Sequence, residues 1–159
     1  PIITDADLAE VSGQVGVEIG QNLSGWMFTL PPDQKVLSTS VTFNNEVFFV
    51  AFAPDNAAAA TCSAGAGSNF LYRVSVVNGD PIINNMDNVV PGTEDQLRVS
   101  QLRQGGIAPS PQFLFPSPDP NCTGDECSPP PIYCIGVECD DPGKDNNPVR
   151  TLWTQDGIE

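Results

Sequence analysis

The sequence contains no histidine, and this absence excludes more chemistry than any other feature of its composition. Without an imidazole, the chain cannot form a Ser-His-Asp triad, a Cys-His pair or a histidine general base. It also lacks a glycine-rich phosphate loop followed by Lys-Ser or Lys-Thr. The remaining carboxylate pairs, such as Glu94/Asp95, lie in predicted loops or at a predicted helix start, where solvated acids are expected. We therefore expect a non-enzymatic protein.

Basic residues and long apolar runs are also scarce. Six Lys and Arg residues stand against 20 Asp and Glu residues, so the formal net charge is -14. Nucleic acids and anionic membrane surfaces both require a basic footprint, so we expect neither as a partner. No run reaches the roughly 18 apolar residues of a membrane span, so we expect no transmembrane segment. The chain opens at Pro1 with no initiator methionine or signal-like stretch, which predicts a mature or excised segment.

Strand signals recur along the first hundred residues, whereas helical signal is weak. The stretch from Val41 to Phe52 contains two β-branched and aromatic runs around Asn44-Asn45, and asparagine tolerates the left-handed backbone of a two-residue hairpin turn. At most one short helix is expected, between Asp5 and Glu10. The sequence predicts four antiparallel strands, near 26–30, 36–43, 47–53 and 70–77. Joined in order they form a meander, which is the unit of a propeller blade.

The second part of the chain is rich in proline and cysteine. Ten of the 16 prolines lie between Pro109 and Pro148. Further strands are predicted near 96–102, 107–115 and 149–154, and loops over 84–96 and 116–148. We expect an all-β fold with three parts: a β-propeller blade segment over 1–115, a Cys- and Pro-rich acidic loop over 116–148, and a terminal strand and tail over 149–159.

The motif C-x-G-x-E-C occurs twice, from Cys122 to Cys127 and from Cys134 to Cys139. Four thiolates in two pairs could bind zinc, although the spacing is loose for a zinc site. Alternatively, each motif closes on itself as a disulfide, or the two motifs cross-link. We favour disulfides because the acidic, proline-rich flanks suit an exported protein. The sequence does not choose among the pairings, and Cys62 makes the count odd, so at least one cysteine has no partner within the chain.

Several short motifs together resemble one known family. They are Gly25-Trp26 followed by a Leu-Pro stop, Lys35-Val36-Leu37-Ser38, Phe52-Ala53-Pro54 after the hairpin, Thr61-Cys62-Ser63-Ala64-Gly65, and Asn69-Phe70-Leu71-Tyr72 before an Asn-Gly turn. In this order they look like the C-terminal β-propeller of the PilY/PilC family, the tip-associated adhesin and assembly proteins of type IV pili. The resemblance covers most of 1–115 and roughly the last dozen residues.

The resemblance implies one or more terminal blades of a β-propeller, with a long, disulfide-stapled, Pro-rich loop projecting from them. It implies export to the bacterial periplasm, the cell surface or the pilus tip. The implied role is to promote pilus assembly, counter retraction and support adhesion. The implied partners are minor pilins or other pilus proteins, the remainder of the propeller, and a host or abiotic surface.

Propellers of this family carry a calcium loop with alternating oxygen ligands, and the nearest match here is weak. Asp119, Asn121, Thr123 and Asp125 alternate in the required way, but the terminal bidentate glutamate is missing. A plain turn is the favoured interpretation, with calcium at these four residues as the competing one. The chain has two further interpretations: an extracellular β module that binds zinc, calcium or another ligand, and a fragment of a quinoprotein-type propeller enzyme.

Overall fold

The structure is a computed structural model, and it describes residues 2–55, 67–82, 97–117, 129 and 131–140. Within these residues the chain forms ten strands and one single-turn 3-10 helix. The helix spans Asp5–Asp7, and the strands are β1 Leu8–Glu10, β2 Gly25–Met27, β3 Lys35–Val36, β4 Val41–Phe43, β5 Glu46–Ala53, β6 Ser68–Ser75, β7 Val99–Gln101, β8 Gln112–Leu114, β9 Ile132–Ile135 and β10 Glu138–Asp140. The described part is therefore mostly β, as the sequence predicted.

The central sheet has the order β3-β5-β6-β7, and β4 pairs with the same edge of β5 as β3. All its pairings are antiparallel, so β3 and β4 together act as one interrupted strand of a four-stranded meander. The predicted hairpin between β4 and β5 is confirmed. Asn44 and Asn45 have φ angles of 49° and 61°, the left-handed backbone that such a two-residue turn requires.

The predicted strand near 26–30 is present at Gly25–Met27, but its predicted place as the first strand of the meander is wrong. Gly25–Met27 instead pairs in parallel with Leu8–Glu10, outside the central sheet. The physical reason is that the aromatic side chains here cover the face of the central sheet, since the Phe28 ring lies 5.8 Å from that of Tyr72. The predicted helix between Asp5 and Glu10 is also shorter, because the chain becomes strand at Leu8.

The predicted loop over 116–148 is wrong in its described part. Ile132–Ile135 and Glu138–Asp140 form a hairpin that pairs with β8 in a three-stranded antiparallel sheet. The run Ile132-Tyr133-Cys134-Ile135 is apolar and β-prone, and Gly136 supplies a φ of 59° at the turn. The pairing of β8 with β9 crosses the predicted boundary between 1–115 and 116–148. The loop predicted over 84–96 and the strand predicted near 149–154 lie outside the described residues.

The two smaller sheets contact opposite faces of the central sheet. Successive side chains of a strand point to opposite faces, and β5 uses both. The Phe48 ring lies 5.2 Å from that of Tyr133 in β9, whereas the Phe49 ring lies 6.1 Å from that of Phe28, which follows β2. The core between the central and three-stranded sheets consists of six buried residues: Phe48, Val50, Leu71, Ala108, Tyr133 and Ile135. The fold therefore has three layers around β5 and β6.

One buried cation joins the loops at the end of the central sheet. Arg98, only 1% exposed, donates from Nε to the Gly79 carbonyl at 2.8 Å and from its guanidinium to the Val11 carbonyl at 3.2 Å. Its guanidinium also lies 5.7 Å from the centroid of the Phe28 ring. A buried charge is costly unless hydrogen bonds satisfy it, and here backbone carbonyls from separate loops do so. Arg98 thereby fixes β7 against the N-terminal segment.

Candidate functional site

The second C-x-G-x-E-C motif forms the β9–β10 hairpin. Cys134 lies directly opposite Cys139 in the strand register, and a disulfide joins them with a Cα–Cα distance of 4.0 Å. This pairing is one of those the sequence left open, the motif closing on itself. These two sulfurs bind each other, so they are not thiolate ligands for zinc. Cys62, Cys122 and Cys127 lie outside the described residues.

The glycine and glutamate of this motif dock the hairpin onto the rest of the protein. One carboxylate oxygen of Glu138 accepts hydrogen bonds from the backbone N–H groups of Arg103 and Gln104, each at 2.8 Å. In return, the Gln104 side-chain amide donates to the Ile135 carbonyl at 2.7 Å. A Cβ atom added at Gly136 would clash with the Gln104 side chain. Each fixed position of the motif therefore has a structural role: two form the disulfide, one the turn and one the docking contact.

Asn69 holds the turn that receives the hairpin. It is fully buried within β6, and its Nδ2 donates to the carbonyls of Gln104 at 2.9 Å and Gly106 at 2.6 Å. Its Oδ1 accepts from the Ala108 N–H at 3.2 Å. A buried amide that lost these partners would cost about 1–3 kcal/mol per unsatisfied group. Asn69 therefore fixes the position of Gln104, which in turn contacts the hairpin.

An ion pair lies beneath the hairpin against the central sheet. The Arg73 guanidinium contacts the buried Glu46 carboxylate at 2.8 Å and lies 5.6 Å from the centroid of the Tyr133 ring. Burial raises the pKa of the Tyr133 hydroxyl, while the positive charge of Arg73 acts in the opposite direction. The Tyr133 hydroxyl also lies 3.5 Å from a carboxylate oxygen of Asp140. Tyr133 therefore stays neutral at physiological pH, with its ring as a packing element between the two sheets.

A cleft of about 500 Å³ lies between β7 and the hairpin. Its volume falls within the range of roughly 300–1,000 Å³ that is typical of small-molecule sites. Apolar side chains from both sheets line it, together with polar groups from β7 and β10. The lining includes Leu71, Leu102, Ile135, Ser100, Glu138 and Asp140. This cleft is the candidate functional site of the described chain.

The predicted calcium ligands cannot be placed on this site. Asp119, Asn121, Thr123 and Asp125 all lie outside the described residues, so calcium stays a prediction. Within the part of the chain that the structure describes, no group of three or more Cys, Asp or Glu side chains is arranged to hold a metal ion.

An acidic residue near the N-terminus has a local structural role. The Asp7 carboxylate accepts hydrogen bonds from the backbone N–H and the hydroxyl of Thr4, both at 2.8 Å. These two bonds hold the pKa of Asp7 below its ordinary value of 3.8. Asp7 is therefore committed to the Asp5–Asp7 turn.

Sequence reasoning missed the residues that organise the cleft. Asn69 had a detectable signal, since an amide within an apolar strand must find partners when it is buried. Glu138 had a signal as well, because the motif repeats its glutamate between two cysteines in both copies. Neither signal identifies the partner, because Glu138 contacts backbone groups 34 and 35 residues away.

Comparison of the chain with protein-family models, with curated proteins and with solved structures gives no match. Among the described residues, no helix combines the length and the apolar character needed to cross a membrane. Function is therefore inferred from the residues of this chain.

Proposed function

We propose that the protein is a non-enzymatic component of type IV pilus biogenesis and tip-associated adhesion that acts through protein contacts. The observation that carries the proposal is the position in the fold of the short motifs that resemble the PilY/PilC family. The segments around Lys35, Phe52 and Asn69 lie on β3, β5 and β6, which are neighbours in one antiparallel meander. A meander of this kind is the unit of a propeller blade, so the chain would supply one or more terminal blades.

The disulfide supports an exported location. Disulfides persist in oxidising environments such as the bacterial periplasm and cell surface, and the Cys134–Cys139 bridge is integral to the docked hairpin. We place the protein in the periplasm, at the cell surface or at the pilus tip. Its disulfide-containing segment would be the feature that distinguishes this tip from others of its kind.

Exposed apolar side chains at the end of β8 support a role in protein contacts. Phe115 is 59% exposed, although its ring lies 5.7 Å from that of Phe43, and its neighbour Leu114 is also exposed. Strand β8 is an edge strand whose outer side has no strand neighbour within the described ranges. Apolar groups at an open edge favour contact with another protein. The partners we propose are minor pilins or the remainder of the propeller, with a host or abiotic surface as the adhesion target.

Deletion of the encoding gene from its piliated source bacterium tests the proposal. We expect fewer surface pili and weaker adhesion, with both restored by the full-length gene. Because the proposed role is to counter retraction, inactivating the retraction motor should also restore pilus number but not adhesion. Unchanged pilus number and adhesion in the deletion strain would contradict the proposal.

One observation favours an alternative, an extracellular β module that binds zinc, calcium or another ligand. The cleft of about 500 Å³ beside the hairpin has the size of a ligand site and carries the acids Glu138 and Asp140. Elemental analysis of the purified protein separates the two proposals. One equivalent of zinc or calcium per chain, retained through dialysis, would favour the binding module.

A further inference from the structure

Two strand edges without strand neighbours in the described residues border the cleft. In the part of the chain that the structure describes, β7 pairs with β6 on one side and β10 pairs with β9 on one side, and the other edge of each strand has no strand neighbour. Residues of both strands line the cleft, among them Gln101 and Cys139. An edge strand presents unpaired backbone N–H and C=O groups, which are a template for pairing with another chain.

The pairing pattern of β7 shows which of its backbone groups face outwards. The Leu102 N–H donates to the Asn69 carbonyl at 2.9 Å, so these opposed residues form a hydrogen-bonded pair. Bonded and non-bonded pairs alternate along an antiparallel ladder, so the next pair, Phe70 with Gln101, is non-bonded. The backbone N–H and C=O of Gln101 therefore point away from β6, towards the open edge.

The same reasoning applies to β10. Ile135 and Glu138 flank the two-residue turn of the hairpin, and the next pair along is Cys134 with Cys139. Their Cα–Cα distance of 4.0 Å matches the closer spacing of a non-bonded pair, about 4.5 Å, better than the 5.5 Å of a bonded one. The backbone groups of Cys139 therefore also point outwards. Within the described residues, outward-facing backbone groups without a strand partner therefore border the cleft on two sides.

The charges at the cleft favour binding of an extended peptide segment that carries basic side chains. Among the described residues that line the cleft, two are acidic, Glu138 and Asp140, and one is basic, Arg103, in a chain whose formal net charge is -14. An acidic segment would be repelled both locally and by the whole molecule, whereas a segment with Lys or Arg would be attracted. The apolar side chains of Leu71, Leu102 and Ile135 offer a surface for alternate side chains of the same segment.

We propose that the cleft binds an extended segment of a partner protein by β-strand addition, and that this segment carries basic side chains. The backbone of the segment would pair with the outward groups of Gln101 in β7 and Cys139 in β10, while its basic side chains would lie near Glu138 and Asp140. This inference rests on the proposed role in protein contacts, and it names the chemistry of the contact.

Amide exchange measured by NMR on the full-length, oxidised protein tests this inference. The probe is a blocked heptapeptide, Thr-Lys-Val-Thr-Val-Lys-Thr, and its control carries Glu in place of both Lys residues. We expect the basic peptide to slow exchange at the amides of Gln101 and Cys139, and to bind at least tenfold more tightly than the acidic one. Binding should weaken as salt is added, because the charges lie at the surface.

Two variants at one position isolate the backbone contact. Gln101→Pro removes an N–H that faces away from β6 and so spares the β6–β7 ladder, whereas Gln101→Ala keeps that N–H. Loss of one hydrogen bond should weaken peptide binding about 5–10-fold in Gln101→Pro and leave Gln101→Ala close to the parent. Circular dichroism checks that both variants are folded.

Three results would overturn the inference. The first is no binding of the basic peptide at about 1 mM, and the second is equal binding of the acidic peptide. The third is slow exchange at both amides before any peptide is added, because the protein's own chain would then fill the cleft. Each of these results could occur while deletion of the gene still reduces pilus number and adhesion. The peptide-binding proposal can therefore fail while the proposed pilus function holds.

Discussion

The β5–β6 pair and the β9–β10 hairpin are both antiparallel, yet they are held together in different ways. Eight residue pairs join β5 to β6, and both strands bury apolar side chains on two faces. Within the described residues three pairs join β9 to β10, and the hairpin carries a disulfide and a docking carboxylate as well. A short hairpin alone is marginal in water, so the small one depends on specific bonds where the large one depends on burial.

Substitution Phe48→Ala should have the largest effect, because it acts on the burial that holds the central pair. Phe48 is completely buried and contacts rings in both β8 and β9. We expect a loss of about 3–5 kcal/mol in the free energy of unfolding, and a fall of more than roughly 10 °C in Tm. Thermal unfolding followed by circular dichroism measures it. Val137→Ala is the matched control, since Val137 is 86% exposed and should change stability by less than about 0.5 kcal/mol.

Removing the disulfide should have a smaller and more local effect. The bridge closes a loop with a sequence separation of 5, and the chain-entropy model gives about 2 kcal/mol for so short a loop. We expect Cys134→Ser/Cys139→Ser to raise amide exchange in the hairpin while β5 and β6 stay protected. Equal loss of protection in both pairs would show that the hairpin and the central sheet unfold as one unit.

Glu138→Ala should loosen the same hairpin without touching the disulfide. The carboxylate satisfies two backbone N–H groups, and because Glu138 is only half-buried we expect their loss to cost about 1–2 kcal/mol in total. We expect faster exchange at the amides of Arg103 and Gln104, and partial recovery in Glu138→Gln, which keeps an acceptor oxygen. If both amides keep their protection in Glu138→Ala, the docking contact is not formed in solution.

The smallest expected effect is that of acid pH on the N-terminal turn, which lies outside both the β5–β6 pair and the β9–β10 hairpin. The folded pKa of Asp7 is depressed below 3.8, so the stabilising contact with Thr4 is present above the unfolded pKa and is lost as pH falls through the folded value. We expect the turn at Asp5–Asp7 to loosen below about pH 4. NMR titration of the Asp7 carboxyl measures this. Thr4→Val removes one donor and should raise the pKa of Asp7 towards its ordinary value.

The features that the sequence predicted correctly are local ones. The β4–β5 hairpin follows from Asn44-Asn45, because a two-residue turn fixes the register of its own flanking strands. The strand near 70–77 follows from an apolar, β-branched run, and the structure has it at Ser68–Ser75. Both depend on residues that are neighbours in the chain, so pattern and turn chemistry were sufficient.

The features that the sequence did not predict depend on contacts between distant segments. Parallel pairing of β1 with β2 joins residues 17 positions apart, and no local pattern encodes which strand Gly25–Met27 will choose. The hairpin of the second cysteine motif was predicted as loop because prolines dominate its surroundings, although Ile132–Ile135 itself is β-prone. The cleft could not be predicted, since it exists only where β7, β10 and the Asn69-held turn meet.

The Cys134–Cys139 bridge also controls which face of β10 is turned towards the protein. A slip of one residue between paired strands moves every side chain to the opposite face, so Glu138 would lose its contact with Arg103 and Gln104. The two sulfurs can join only when their residues are opposed, as they are in the native register. Formation of the disulfide therefore fixes the strand register of this hairpin. A hairpin in another register does not bring the two sulfurs together, and the native register cannot shift once the bond has formed.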